Sequence, residues 1–110
     1  MGLEIFAFPC NQFMGQEKGS DEDIKRFVRE KYGDKFKLMQ KCDVNGPDAH
    51  PVFRYLRGHS VLHDKNSGKT GTILWNFQKF VVDEDGKVLE MYEPATAPDD
   101  FKADLKAKLV

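Results

Sequence analysis

Cys10, Asn11, Gln12 and Gln16 fall within seven residues, directly after an apolar run from Leu3 to Phe8, and far along the chain Trp75 is followed at once by Asn76. A thiol is a nucleophile only as its thiolate, and an unperturbed cysteine, with a pKa near about 8.5, is mostly protonated at neutral pH. Carboxamides offer donors and acceptors without charge, and an indole N–H only donates. Such a set can hold an anionic or polarisable reacting centre by hydrogen bonds, but it cannot act as acid or base itself. Each group also has an ordinary use. Polar residues after a proline make a solvated turn, a buried Trp or Asn finds some partner, and free cysteines act as small buried residues.

The elements that must position these groups are legible in outline. Ile5 and Phe6 favour a strand, and Pro9 removes an N–H and ends it, so the polar loop sits at a strand exit, where open α/β folds keep their chemistry. Ser20, followed three residues later by Asp23, predicts a helix start. Ile24, Phe27, Val28 and Tyr32 continue it at helical spacing, and Gly33 stops it. Phe36 to Val44 is expected to be a second strand, closed by Asn45-Gly46-Pro47. Pro51 opens a short helix to about Arg57, with Val52, Phe53 and Leu56 inward. Gly58 to Thr72 is expected to be a mobile loop. Trp75 to Val82 predicts a strand covered on both sides, with Trp75-Asn76 at its start. Asp83-Glu84-Asp85-Gly86 is a hairpin turn into Lys87 to Tyr92. A last helix from Asp99 or Asp100 carries Phe101, Leu105 and Leu109.

The whole chain narrows the function. Its 110 residues fit one domain, 1–110, and a net charge of −1 without a basic run argues against nucleic acid. No apolar run approaches a membrane span, and the N-terminus lacks the regions of a signal peptide. Two cysteines are too few for a disulfide framework and point to a cytoplasmic, reducing setting, although an upstream targeting segment would not be visible. His50, His59 and His63 have no zinc-like spacing with the cysteines, so no metal is expected. Lys18, Lys69 and Lys79 are scattered surface cations that could attract carboxylates or phosphates only weakly.

Taken together, Phe8-Pro9-Cys10-Asn11-Gln12-Phe13 with Gln16-Glu17, then Val44-Asn45-Gly46 leading to Ala49-His50-Pro51, then Trp75-Asn76-Phe77 with Lys79-Phe80 and Asp85-Gly86, resemble the glutathione peroxidase family along the entire chain. The resemblance implies a thioredoxin-like α/β fold in three α/β/α layers. It also implies thiol-dependent reduction of hydrogen peroxide and organic or lipid hydroperoxides in the response to oxidative stress. In that family a peroxidatic cysteine or selenocysteine is surrounded by a Gln, a Trp and an Asn, which match Gln16, Trp75 and Asn76. No bound cofactor is implied, and glutathione or another small thiol would be the reductant.

The chain departs from the family pattern in ways that carry expectations. The motif with the reacting chalcogen lies upstream of the loop by roughly the thirty residues of a βα unit, and only Met1 to Phe8 precede the loop here. The chain is therefore expected to lack the N-terminal hairpin and the first core strand and helix, and to be inactive alone. A non-enzymatic thioredoxin-fold module is the alternative. A selenocysteine codon read as a stop, with restart at Met1, would account for the missing front. An open sheet edge would favour self-association. Cys10 follows Pro9 at the strand end, where the family's cysteine is usually not the attacking group. Thioredoxin-dependent members carry a resolving cysteine in the helix after the loop, and Arg29 stands at about that position, which favours glutathione over thioredoxin. Met14 stands where Gly is common, and Lys18 replaces Pro in the usual Gln-Glu-Pro-Gly. The short segment between Pro51 and Trp75 resembles the monomeric, phospholipid-hydroperoxide type.

Overall fold

The computed structural model describes residues 3–33, 36–97, 100 and 103. The chain gathers into two compact units, one within Gly2–His50 and one within Pro51–Val110. The expected last helix from Asp99 or Asp100 to Leu109 falls almost wholly outside the described residues.

The first unit is a strand, helix, strand crossover. Strand β1 (Phe6–Ala7) pairs in parallel with β2 (Lys37–Leu38), with Phe6 opposite Lys37 and Ala7 opposite Leu38. Helix α1 (Asp21–Tyr32) makes the crossover that a parallel pair requires. Its start follows the sequence expectation: Ser20 is extended at ψ 166°, and its hydroxyl accepts from the Asp23 N–H at 3.1 Å. Asp21, Glu22 and Asp23 lie at the positive end of the helix dipole and Arg29 and Lys31 near the negative end. Gly33 closes the helix at φ 81°, donating to the Arg29 carbonyl at 3.1 Å.

Both strands are far shorter than the apolar runs suggested, because regular pairing is interrupted early. Lys37 and Met39 donate to the Ile5 and Ala7 carbonyls at 2.9 and 2.8 Å, and the next such bond, to the Pro9 carbonyl, comes from Cys42 at 2.9 Å. The step is two residues on one strand and three on the other, an extra residue that breaks the ladder as a bulge does. The core of this unit is Cys10, Phe13, Ile24, Val44 and Ala49. The α1 stripe is only partly used, since Phe27 and Tyr32 are exposed and meet edge-on at 6.5 Å. A cleft of about 330 Å³ lies between the Lys25, Val28 and Arg29 side of α1 and Phe36–Leu38.

The second unit begins with α2 (Pro51–Gly58), where proline takes the first helical position and Phe53 and Leu56 are buried. Strands β3 (Lys79–Val82) and β4 (Val88–Tyr92) form an antiparallel hairpin with an irregularity between Val81 and Val82. The Asp83 side chain organises the turn, accepting from the Asp85 and Lys87 N–H groups at 3.0 and 2.8 Å, and Gly86 supplies the left-handed φ of 87°. Aromatic packing and a hydrogen bond join helix and hairpin. Phe53 packs edge-on to Phe80 at 6.5 Å, and the Tyr55 hydroxyl donates to the Gly86 carbonyl at 2.6 Å.

The segment expected to be a mobile loop has definite local structure. His63 and Thr70 form an isolated antiparallel bridge, and Asp64 donates to the Lys69 carbonyl at 2.8 Å. The Asp64 carboxylate accepts from the Asn66 N–H and the Ser67 hydroxyl, each at 2.9 Å. The first of these bonds, helped by the second, holds its pKa below the usual carboxylate value. The polar residues that removed any apolar period are the ones that close this loop on itself.

Candidate functional site

The loop after β1 is held by its own side chains. Cys10 is only 8% exposed, and its thiol donates to Gln12 Oε1 at 3.5 Å while its sulfur accepts from the Gln12 N–H at the same distance. Asn11 Oδ1 accepts from the Glu17 N–H at 2.9 Å, drawing six residues of loop into a closed turn. Within that turn Gln16 donates through its backbone to the Phe13 carbonyl at 3.4 Å, and its residue is exposed. The sequence-selected carboxamide is therefore presented on a fixed base.

Gln12, one of the carboxamides of the opening loop, and Lys41, which the sequence reading did not single out, provide that base. Gln12 Oε1 accepts from the Val44 and Asn45 N–H groups at 2.8 and 3.0 Å, and its Nε2 donates to the Asn45 carbonyl at 2.8 Å. Lys41 extends its ammonium to the Glu17 and Gly19 carbonyls at 3.1 and 2.6 Å, while its backbone N–H donates to Asp21 Oδ1 at 2.7 Å. The loop 10–19 is thus tied to 41–45 along its length. Composition hinted at Gln12, a carboxamide able to donate and accept at once. Nothing in the sequence marked Lys41.

The loop also carries backbone strain. Met14 sits at φ 55° immediately before Gly15 at φ 62°, in the left-handed region that costs a side chain about 1–2 kcal/mol. This is the physical reason a glycine is favoured at such a position. The Met14 residue is 82% exposed, so its truncation removes little packing. Met14→Gly is expected to raise stability by about 1 kcal/mol, seen as a higher urea midpoint, with Met14→Ala leaving the strain in place. Equal midpoints for the two variants would show that the conformation carries no cost.

Trp75 and Asn76 lie in the second unit, and here the structure corrects the sequence reading. They occupy a bend and turn before β3, not the start of a buried strand. Phe77 takes φ 68° and is 80% exposed, and its left-handed backbone interrupts the extended conformation at this point. Trp75 is 40% exposed and Asn76 is half-buried. The turn is anchored from behind: Gln78 Nε2 donates to the Tyr92 carbonyl at 2.8 Å, and the Lys79 ammonium donates to the Pro94 and Thr96 carbonyls at 3.0 and 2.7 Å. Lys79 is a structural tie, which removes it from the surface cations that could draw an anionic ligand. A strained turn carrying neighbouring donors is the kind of place where function is found.

The remaining candidates are engaged locally. His50 lies 5.6 Å from the Phe8 ring, His59 stacks on Tyr55 at 4.2 Å, and His63 Nδ1 is 2.9 Å from the Thr70 hydroxyl. Among the described residues no three His, Cys, Asp or Glu side chains come together as a metal site. Burial pushes the Cys42 thiol up, and the charge of Cys10 and then of Asp43 adds to this, so Cys42 is not an activated nucleophile.

Comparison with known proteins agrees with these features. The family described as glutathione peroxidase matches residues 1–57. The glutathione peroxidase homolog BsaA of Bacillus subtilis is 46% identical over 104 residues, covering 94% of this chain and 62% of that protein. The chloroplastic phospholipid hydroperoxide glutathione peroxidase of Pisum sativum is also 46% identical, over 109 residues, covering 98% of this chain and 44% of that protein. The crystal structure of T. cruzi GPX1 superposes with a TM-score of 0.62 at 29% identity, over 94% of this chain and 57% of that one. The chain thus spans less than two thirds of the length of these relatives, and the likeness to the solved structure makes its α/β fold thioredoxin-like. The matched residues 1–57 are more than half of the sequence, and on that ground the chain belongs to the glutathione peroxidase family.

Proposed function

We propose that this chain forms part of a single-domain peroxidase that reduces hydrogen peroxide and organic or lipid hydroperoxides with a small thiol. The observation that carries this reading is the 46% identity, over nearly the whole chain, to a bacterial and to a plant member of the family. In it, Gln16, Trp75 and Asn76 are donors around the reacting chalcogen, hydrogen-bonding the anionic sulfur or selenium and the peroxide oxygens. The chalcogen itself is a cysteine or selenocysteine outside these 110 residues. Cys10 does not fill that role, since it is buried and hydrogen-bonded both ways to Gln12. Neither does Cys42, whose pKa is raised.

Glutathione is the proposed reductant. Helix α1, which follows the loop, contains no cysteine to resolve a sulfenic or selenenic intermediate toward thioredoxin. Two free cysteines fit a cytoplasmic setting, and no helix among the described residues is long and apolar enough to cross a membrane. Leu3, Ile5 and Phe6 are exposed around β1, which supports self-association of the isolated chain.

A coupled assay with glutathione, glutathione reductase and NADPH tests the reading. The 110-residue chain is expected to consume NADPH at the background rate, and a chimera completed with the N-terminal segment of a full-length relative is expected to turn over hydroperoxide. Turnover by the chain alone, abolished by Cys10→Ser, would make Cys10 the reacting group. Failure of the chimera to reduce any hydroperoxide would favour the non-enzymatic module.

A further inference from the structure

The two cysteines lie far apart in sequence, and the backbone of one is hydrogen-bonded to the residue before the other. In the parallel ladder, the N–H of Lys37 donates to Ile5, the residue before its partner Phe6. Beyond the break in the ladder, Cys42 keeps one bond of that relation to Cys10: its N–H donates at 2.9 Å to the carbonyl of Pro9, the residue before Cys10. Directly paired residues on neighbouring parallel strands project from the same face and have Cα atoms about 4.8 Å apart, inside the roughly 4.4–6.8 Å span of disulfides. The charge of Cys10 acts on Cys42 as expected of near neighbours. Both thiols are free.

We propose that Cys10 and Cys42 form a reversible dithiol–disulfide pair, a redox modification site that staples the Gln16 loop to the 41–45 segment. The inference does not depend on the peroxidase reading. Its oxidant is a low-molecular-weight disulfide. The half-buried Cys42 is reached first: although its pKa is raised, the small fraction that has given up its proton attacks one sulfur as thiolate, forming a mixed disulfide and releasing one thiolate. Cys10 then gives up its proton and attacks the Cys42 sulfur, releasing the second. The dithiol loses two electrons and two protons, and the small disulfide gains them as two thiols.

Side chains on paired parallel strands start about a strand spacing apart, above the roughly 3.5–4.5 Å between Cβ atoms in a relaxed bridge, so closure needs a small strand shift. A bridge formed that way is readily reduced, the property of a labile pair. Closure also withdraws the Cys10 thiol from Gln12 Oε1, so the loop that presents Gln16 differs between the two states.

The test is differential alkylation and peptide mass analysis of the 110-residue chain after incubation with mixtures of reduced and oxidised glutathione. The expected product is a monomer with Cys10 joined to Cys42, returned to two alkylatable thiols by dithiothreitol. Cys10→Ser is expected to stop at a glutathione adduct on Cys42. In urea, where the 10–42 separation is bridged only by flexible chain, the internal disulfide is expected to fall roughly tenfold relative to the adduct, because effective concentration drops. Accumulation of the Cys42 adduct alone in the folded wild-type chain, disulfide-linked dimers in place of the internal bridge, or equal bridging with and without urea would each overturn the proposal.

Discussion

Asn76→Ala, introduced into the proposed longer protein with its reacting chalcogen, is expected to lower kcat/KM for a hydroperoxide by roughly 10²–10³-fold, the usual effect of removing one donor aimed at developing charge. The physical argument runs through the O–O bond. As the chalcogenolate attacks one peroxide oxygen, that bond breaks and the other oxygen leaves with the electron pair. Neutral donors fixed beforehand stabilise both the nucleophile before attack and the oxyanion after it, and they do not need to reorganise. Trp75→Phe removes only the indole N–H and keeps the ring, so it separates hydrogen bonding from shape. Gln16→Ala tests the loop donor on the first unit. All three are expected to act mainly on kcat, with KM nearly unchanged, because the charge they oppose develops in the transition state. Threefold or smaller losses for all three variants, in protein of unaltered urea midpoint, would remove these residues from the proposed site.

What the sequence revealed about these residues and what it concealed have different physical origins. Local chemistry was legible. Ser20 and Gly33 bound α1 as their types predict, Pro51 opens α2, and Asp83 and Gly86 make the hairpin turn. Each depends on one side chain or one missing Cβ acting within a few residues. The strands were harder. Phe36 to Val44 looks extended, but the change from a two-residue to a three-residue step at Cys42 ends regular pairing, and register is a property of two strands together. Trp75-Asn76 was misplaced for a similar reason. Aromatic and β-branched residues from Trp75 to Val82 suggest one strand, and only the left-handed Phe77 shows where it is interrupted. The family motifs nominate Gln16, Trp75 and Asn76 without geometry. They could not identify what holds the loop, because Lys41 contacts carbonyls, and every residue type supplies a carbonyl.

That support leads to the largest stability effect expected in the chain. Gln12→Leu removes three hydrogen bonds to Val44 and Asn45 and the acceptor of the Cys10 thiol. At about 0.5–1.5 kcal/mol for each bond, and with the site partly open to water, the loss should be about 2–3 kcal/mol. For a domain of this size that lowers Tm by roughly 10 °C, a large share of a total stability that seldom exceeds about 15 kcal/mol. Leucine has nearly the volume of glutamine, so a cavity does not explain the effect. Gln12→Glu is the informative partner. Its carboxylate can still accept from the Val44 and Asn45 N–H groups but cannot donate to the Asn45 carbonyl, and it is expected to lose about 1 kcal/mol. The order wild type, Gln12→Glu, Gln12→Leu in urea midpoint is the signature of a two-way carboxamide tie. If Gln12→Leu melts with the wild type, the loop is held by Asn11 and Lys41 alone. If both variants lose the same amount, the single donation from Nε2 carries the tie.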